Sequence, residues 1–270
     1  MMEIINQFTP EQDTVKHPVR YCYPDACDIM GFEEVLVEHT IDVYINEQLT
    51  FRVVCSPDHL AELILGRMYT EGLIKSADEV ESIYICQHAT RARVFLHGRV
   101  ADTSRNNVEE VPSCCTGNKT FNSYFADDEL PDKVVPIHWK RSWIESLARA
   151  FSQDTPLHSR TQGTHSCYLA IGDEIVYRSE DLGRHNAFDK VVGQALLDEV
   201  DLTQATIFTS GRIPVDMVQK AIRSHIPILV TKAVPTNVTI EMAAAFDLTL
   251  ICQARPDCFK VYNDPAAKDD

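Results

Sequence analysis

The chain has 270 residues, 44% of them hydrophobic and 24% charged, and carries a formal net charge of −15 at pH 7. That composition describes a globular protein with room for one large domain or two smaller ones, and the acidic balance argues against non-specific nucleic-acid binding. No apolar run approaches the roughly 18–20 residues of a membrane-spanning helix, and the N-terminus lacks a basic stretch followed by an apolar one, so neither a membrane nor a secretory role is expected. Nine cysteines, an odd number without framework-like spacing, point to a reducing cytoplasm.

Residues 1–33 show no clear period, include Pro10, Pro18 and Pro24, and read as an N-terminal arm with little regular structure. Ile41, Val43 and Ile45 alternate with polar residues, as do Leu49, Phe51 and Val53 after Asn46-Glu47, which predicts a β-hairpin. Ser56-Pro57 then reads as a helix cap and first helical position, ahead of a face made by Leu60, Leu63, Ile64 and Met68. A short capped helix at Ser76–Glu79 and strands at Ser82–Cys86 and Ala92–His97 complete a small α+β domain over 34–98. Residues 99–135 read as an acidic linker. A helix from Ile137 to Phe151 follows, with Trp143, Leu147, Ala148 and Phe151 as its buried stripe.

The last block, 136–270, changes character. Gly172-Asp173 marks a tight hairpin between strands Ser166–Ile171 and Ile175–Tyr177. A helix over Arg184–Glu199 is expected to bury Phe188, Val191, Val192 and Leu196. Strands at Thr206–Thr209, Ile228–Thr231, Leu248–Cys252 and Phe259–Tyr262 alternate with helices at Pro214–Ser224 and Thr236–Ala245. Strands alternating with helices of this length imply an α/β fold: a mixed, largely parallel sheet with helices on both faces.

Three stretches carry candidate chemistry. The linker holds Pro112-Ser113-Cys114-Cys115-Thr116-Gly117-Asn118-Lys119, two adjacent thiols in a polar loop with a lysine close enough to favour thiolate. In an α/β sheet, ligands gather outside the C-terminal strand ends. There the chain places Ser210-Gly211-Arg212, Lys232-Ala233-Val234-Pro235 and Gln253-Ala254-Arg255-Pro256-Asp257-Cys258, basic loops suited to an anion such as a phosphate. The third is Glu180-Asp181-Leu182-Gly183-Arg184-His185-Asn186-Ala187-Phe188-Asp189-Lys190. Arg184 and His185 fall in a helix's first turn, where the macrodipole disfavours positive charge, so an anionic ligand or a nearby carboxylate is expected. The alternative is a solvated helix start capped by Asp181. His165 is a minor candidate. No zinc-ligand spacing, deaminase zinc signature, P-loop or dinucleotide fingerprint is present, so no metal site is expected.

The Asp181-x-Gly183-Arg184-His185-x-x-x-Asp189-Lys190 run resembles the formate dehydrogenase accessory sulfurtransferase family, the FdhD type. Ser56-Pro57-Asp58, Glu71-Gly72-Leu73-Ile74 and Thr209-Ser210-Gly211-Arg212 with Met217 through Ala221 extend the resemblance to roughly residues 35–263. The resemblance implies a sulfurtransferase that accepts persulfide sulfur from a cysteine desulfurase. It passes that sulfur to the bis-guanine-dinucleotide molybdenum cofactor, its bound substrate, as formate dehydrogenase activity requires. It also implies a cytidine deaminase-like C-terminal domain without zinc chemistry, and a cytoplasmic homodimer. On this chain the persulfide cysteine falls on Cys115, with Cys114 the alternate, and a second family cysteine falls on Asn118. The family's cofactor loop falls on Gln253 through Cys258, and Ser210, Gly211, Arg212, Arg184 and His185 join it as cofactor-binding residues. Two readings compete with this one: a non-catalytic cofactor-binding chaperone, and a deaminase-like zinc hydrolase whose ligands are missing.

Overall fold

In the computed structural model, residues 2–10, 12–25, 27–98, 109–111, 131–153 and 155–268 are described. Two six-stranded sheets lie on either side of a pair of crossed helices. The first sheet contains β1 (Glu3–Asn6), β4 (His39–Ile45), β5 (Gln48–Cys55), β6 (Val80–Ile85), β7 (Arg91–Leu96) and β8 (Glu109–Val111), in the order β1-β6-β7-β4-β5-β8. Ile41, Val43 and Ile45 point inward while their neighbours do not, the period-2 pattern the sequence displays. They pack with Phe51, Val53, Ile83 and Val94 against α1 (Leu60–Thr70). Each such fully buried aliphatic or aromatic side chain contributes about 1.5–3 kcal/mol.

The second sheet runs β10-β9-β11-β12-β13-β14, from β9 (His165–Ile171), β10 (Glu174–Asp181), β11 (Ala205–Thr209), β12 (Ile228–Thr231), β13 (Thr249–Cys252) and β14 (Lys260–Asn263). It is mixed, but less parallel than expected. Only β11, β12 and β13 run parallel to one another, whereas β9, β10 and β14 pair antiparallel. The cause is the connections. β9 turns directly into β10, and β13 into β14, with no crossover helix to reverse the chain.

Helices cover both faces of this sheet. On one side lies α2 (Arg141–Ser152), which starts four residues later than its pattern suggests and buries Ile144, Leu147, Ala148 and Phe151. Trp143 is only half-buried, because the stripe spaced three and four residues apart runs through Ile144 instead. A short helix, α3 (Pro156–Thr161), follows, which the expected elements do not include. On the other side lie α4 (Arg184–Leu197), α5 (Val215–Arg223) and α6 (Asn237–Ala245). Thr236 caps α6 by accepting from the Thr239 amide.

Three expectations fail here. Residues 2–33 contain β1 and an arm, β2 (Thr14–Tyr21) paired antiparallel with β3 (Ile29–Leu36), so the absence of a period did not mean absence of structure. Both faces of that arm carry exposed residues, which erases the usual alternation. Second, α1 begins at Leu60 and not at Ser56-Pro57. Ser56 instead donates its amide to Asp181 Oδ2 (3.0 Å) and accepts from the Leu182 amide (3.2 Å), tying the two blocks together. Third, the alternative reading of a solvated helix start capped by Asp181 fails. Gly183 is the cap residue of α4, and Asp181 is fully buried.

The two blocks meet where α1 crosses α4 with almost no side chain between them. A Cβ on Gly66 would fall 1.8 Å from the Asp189 carbonyl oxygen, and one on Gly193 would fall 1.8 Å from that of Glu62. Nothing larger than glycine fits at either position. Because α1 covers one side of α4 and the second sheet the other, α4 is buried nearly all round and lacks the amphipathic exposure expected of it, although Phe188, Val191 and Val192 are buried as read and Leu196 is half-buried.

Candidate functional site

The signature run divides between this crossing and the nearest edge of the second sheet. Asp189 accepts from Lys220 Nζ through both carboxylate oxygens (2.9 and 3.0 Å) and from the Thr70 hydroxyl (2.8 Å). Lys220 also pairs with Glu71 (2.8 Å), and Arg67 lies 3.7 Å from Asp189. Burial alone would raise the Glu71 carboxyl, but Lys220 and Arg67 outweigh it and hold Glu71 well below the usual carboxylate range. A second buried group joins Lys190 Nζ to Asp181 (2.8 Å) and Asp58 (2.6 Å). Burial opposes the charge on Lys190, and the two carboxylates more than compensate, raising its pKa. Asp181 completes its shell with the Gly183 amide and the Asn186 side-chain amide, both at 2.8 Å. These groups pin α4 to α1, α5 and the loop before α1.

Arg184 and His185 face the other way, toward the sheet edge. The carboxylate expected near this helix start is Asp216, in the first turn of α5. His185 Nε2 donates to its Oδ2 at 2.8 Å. Burial would raise the Asp216 carboxyl; the His185 hydrogen bond and the nearby charges of His185 and Arg184 lower it on balance. The Arg184 stem lies across Gly211, where a Cβ would come within 2.8 Å of Arg184 Cδ, so glycine is needed for this contact.

Ser210 stitches β9 to β11. Its amide donates to the Ser166 carbonyl (3.0 Å), its hydroxyl oxygen accepts from the Ser166 amide (3.0 Å), and His165 Nδ1 lies 3.3 Å from the same oxygen. Burial, then the charge of Arg184, lower the His165 pKa. The three sheet-edge loops are laced together behind it. Thr231 donates to the Gly211 carbonyl (2.7 Å), Ile213 bridges Pro235, and the Gln253 amide donates to Ala233 (2.9 Å). Arg255 Nη1 donates to the Lys232 carbonyl (2.9 Å).

Beside this rim is a cleft of about 330 Å³, walled by Phe151, Thr155, His158, His165, Ser210 and Lys232. That is the lower end of the size range of small-molecule sites. Lys232 Nζ sits 4.9 Å above the Phe151 ring. Of the residues expected to bind cofactor, Ser210 lines the cleft. Gly211, Arg184 and His185 lie one layer behind or beside it. Arg212, Arg255, Pro256, Asp257 and Cys258 are exposed on the rim, with Gln253 half-buried and Ala254 buried beneath them. Phe151, Thr155 and His158 were not read as site residues. They lie on α2, α3 and the turn between, and the Thr155-Pro156 helix start was the signal available. Cys114 and Cys115 lie outside the described residues, as does Asn118. Among the described residues, no group of three or more His, Cys, Asp or Glu side chains is placed to hold a metal ion, and no helix is long and apolar enough to cross a membrane.

The match to known proteins decides the family. Residues 36–268 match the model of the FdhD/NarQ family. This chain belongs to that family. A sulfur carrier protein FdhD of Bacillus subtilis (strain 168) is 29% identical over 236 residues, covering 86% of this chain and 89% of that one. The protein of the same name from Listeria innocua is 28% identical over 232 residues, covering 85% of this chain and 89% of its own. Among solved structures, that of a "putative formate dehydrogenase accessory protein" from Desulfotalea psychrophila superposes with a TM-score of 0.73 at 26% identity, over 94% of this chain and 98% of that one. The FdhD/NarQ match spans the second sheet, the helix crossing and all of the first sheet but β1.

Proposed function

We propose that this FdhD/NarQ family member is a sulfur carrier for formate dehydrogenase maturation, with Cys115 as the thiol that holds the sulfur. The Cys115 thiolate attacks the outer sulfur of a cysteine desulfurase persulfide. A new S–S bond forms on Cys115, and the donor cysteine leaves as thiolate. The sulfur would then pass to the bis-guanine-dinucleotide molybdenum cofactor, bound as substrate: the S–S bond on Cys115 breaks, Cys115 leaves as thiolate, and the two electrons that bring the sulfur to the sulfide level come from the reduced metal of that substrate. The β9–β14 sheet serves in this reading as a deaminase-like scaffold used for binding and not hydrolysis, and the carrier works in the cytoplasm as a homodimer.

The observation that supports the cofactor half of this reading is the sheet-edge cleft. In a chain of net charge −15, it brings Lys232 into its wall, with Arg255 tied to the Lys232 carbonyl and Arg212 exposed on a neighbouring loop. Local positive charge against a global negative balance suits a polyanion held by its phosphates. Ser210 and His165 add hydrogen-bonding groups at the floor.

The test is sulfur loading. After incubation with a desulfurase and L-cysteine, the wild-type protein should release one equivalent of cyanide-labile sulfur, and Cys115→Ala none, while Cys114→Ala retains it. If Cys115→Ala still loads sulfur and still activates formate dehydrogenase, the assignment is wrong. A doubly substituted Cys114→Ala/Cys115→Ala protein that supports full activation would instead make the protein a chaperone that delivers cofactor without sulfur chemistry.

A further inference from the structure

The side chain that opens the signature run, Glu180, takes part in neither the helix crossing nor the rim. Glu180 is the penultimate residue of β10, the edge strand of the second sheet. Side chains alternate along a strand, so Glu180 and Asp181 leave on opposite faces. Asp181 turns to Lys190 on α4. Glu180 turns to α3, where its carboxylate accepts from four donors. Oε1 takes the Thr155 hydroxyl, the His158 amide (2.8 Å) and the Thr164 hydroxyl (3.0 Å), and Oε2 takes the Leu157 amide (3.1 Å). Three of those partners, Thr155, His158 and Thr164, wall the cleft.

α3 needs this support. It has six residues, against the roughly 12–15 that an isolated helix requires in water. The first-turn amides of Leu157 and His158 find no acceptor inside the helix, and Glu180 supplies one for each. By holding Thr164 as well, the same carboxylate ties the start of α3 to the segment that leaves its far end for β9.

His158 is thereby fixed twice. Its amide is held by Glu180, and its ring Nδ1 lies 2.9 Å from the carbonyl oxygen of Thr164, the other residue Glu180 holds. A carbonyl can only accept, so Nδ1 carries the hydrogen and donates. Nε2 has no protein partner among the described residues and is the ring nitrogen left to the cleft. In the neutral ring it is an acceptor. It suits a hydroxyl or N–H group of a ligand, whereas an ionised phosphate oxygen has no hydrogen to give it.

We infer that Glu180 is a positioning residue of the cleft: it holds α3 and Thr164 so that His158 presents Nε2 to a hydroxyl or N–H group in the nucleoside part of the ligand. Lys232, on the wall of the same cleft, is left to the phosphates. The inference rests on the cofactor-binding reading above and assigns this wall its part of the ligand.

Calorimetric titration of the full chain with guanosine diphosphate and with inorganic pyrophosphate tests this, at about pH 8, where an ordinary imidazole is neutral. His158→Ala and Glu180→Ala should each weaken guanosine diphosphate binding about tenfold, as for one lost hydrogen bond, and leave pyrophosphate binding within about twofold. Because Glu180 acts through His158, the double variant should bind no worse than either single one. Glu180→Gln keeps the three bonds to Oε1 and loses only the one from the Leu157 amide, so it should stay within about threefold of wild type, and its small loss should vanish when His158→Ala is added. That pair of variants decides the matter even where Glu180→Ala fails to fold. Unchanged guanosine diphosphate binding in His158→Ala, or losses that multiply in the double variant, would overturn the inference and leave the cleft reading standing. An equal loss of pyrophosphate binding would make His158 a phosphate contact, which overturns it as well. A wild type that binds guanosine diphosphate more weakly than about 1 mM would overturn both the inference and the cleft reading.

Discussion

The helix crossing and the sheet edge are built from the same eleven residues, Glu180 to Lys190, yet they use charge in opposite ways. At the crossing, Asp181, Asp189 and Lys190 are buried and each ion finds its partner within the protein. At the edge, Arg184 and His185 balance each other's surroundings through Asp216 and lie beside an open cleft. The difference teaches that a dense polar signature need not be one site. Asp181, Asp189 and Lys190 hold the fold, while Arg184 and His185, between them in the chain, lie toward the sheet edge.

The sharpest way to break that contrast is Asp189→Ala. It strands Lys220 and Arg67 without their buried carboxylate and should cost about 3–5 kcal/mol in urea unfolding. Adding Lys220→Met should recover much of the loss. A cost below about 1 kcal/mol would show the buried group is not what joins the blocks. Next comes Gly193→Ala, whose Cβ must push α1 and α4 apart; overpacking of this kind costs about 1–3 kcal/mol, read as a lowered melting temperature. At the sheet edge the pattern should invert. Lys232→Met should leave stability within about 0.5 kcal/mol. Binding of guanosine diphosphate, measured by calorimetry, should weaken about tenfold, with a shallower salt dependence, as expected for one lost charge-assisted contact. Equal binding would place the anion elsewhere.

The smallest effect is in pH. Because the folded protein depresses the Glu71 carboxyl, its contribution is full above the ordinary value near 4.5 and drains as pH falls through that value toward the depressed one. The urea midpoint should therefore fall on acidification below about pH 5, and less steeply in Glu71→Gln. A variant with the wild-type slope would assign the acid sensitivity to other carboxylates.

Much of the second sheet was legible because each strand carries its own apolar run and each helix its own stripe, as at Ile228–Thr231 and around Phe188. What sequence hid follows from partners far along the chain. Asp189 and Lys190 read as part of a run carrying chemistry, and their structural role shows only when Thr70, Lys220 and Asp58 are seen around them. Ser56-Pro57 has the chemistry of a helix cap, but the buried Asp181 offers the Ser56 amide a stronger acceptor. The cleft was half legible: Ser210 and Lys232 sit on strand ends, where topology predicts ligands, while His158 and Phe151 arrive from the opposite layer, which no local pattern encodes.

The glycine contact between α1 and α4 has a consequence for how the protein can be taken apart. With backbone against backbone, neither half has a finished surface there. Separating them would uncover Tyr69 on one side and Leu196 on the other, each packed against the core of the opposite block, and two sets of unmatched ions. Fragments ending after β8 and beginning at Pro131 should thus be insoluble when expressed singly, yet reassemble into one particle when co-expressed, making the chain a natural split-protein pair.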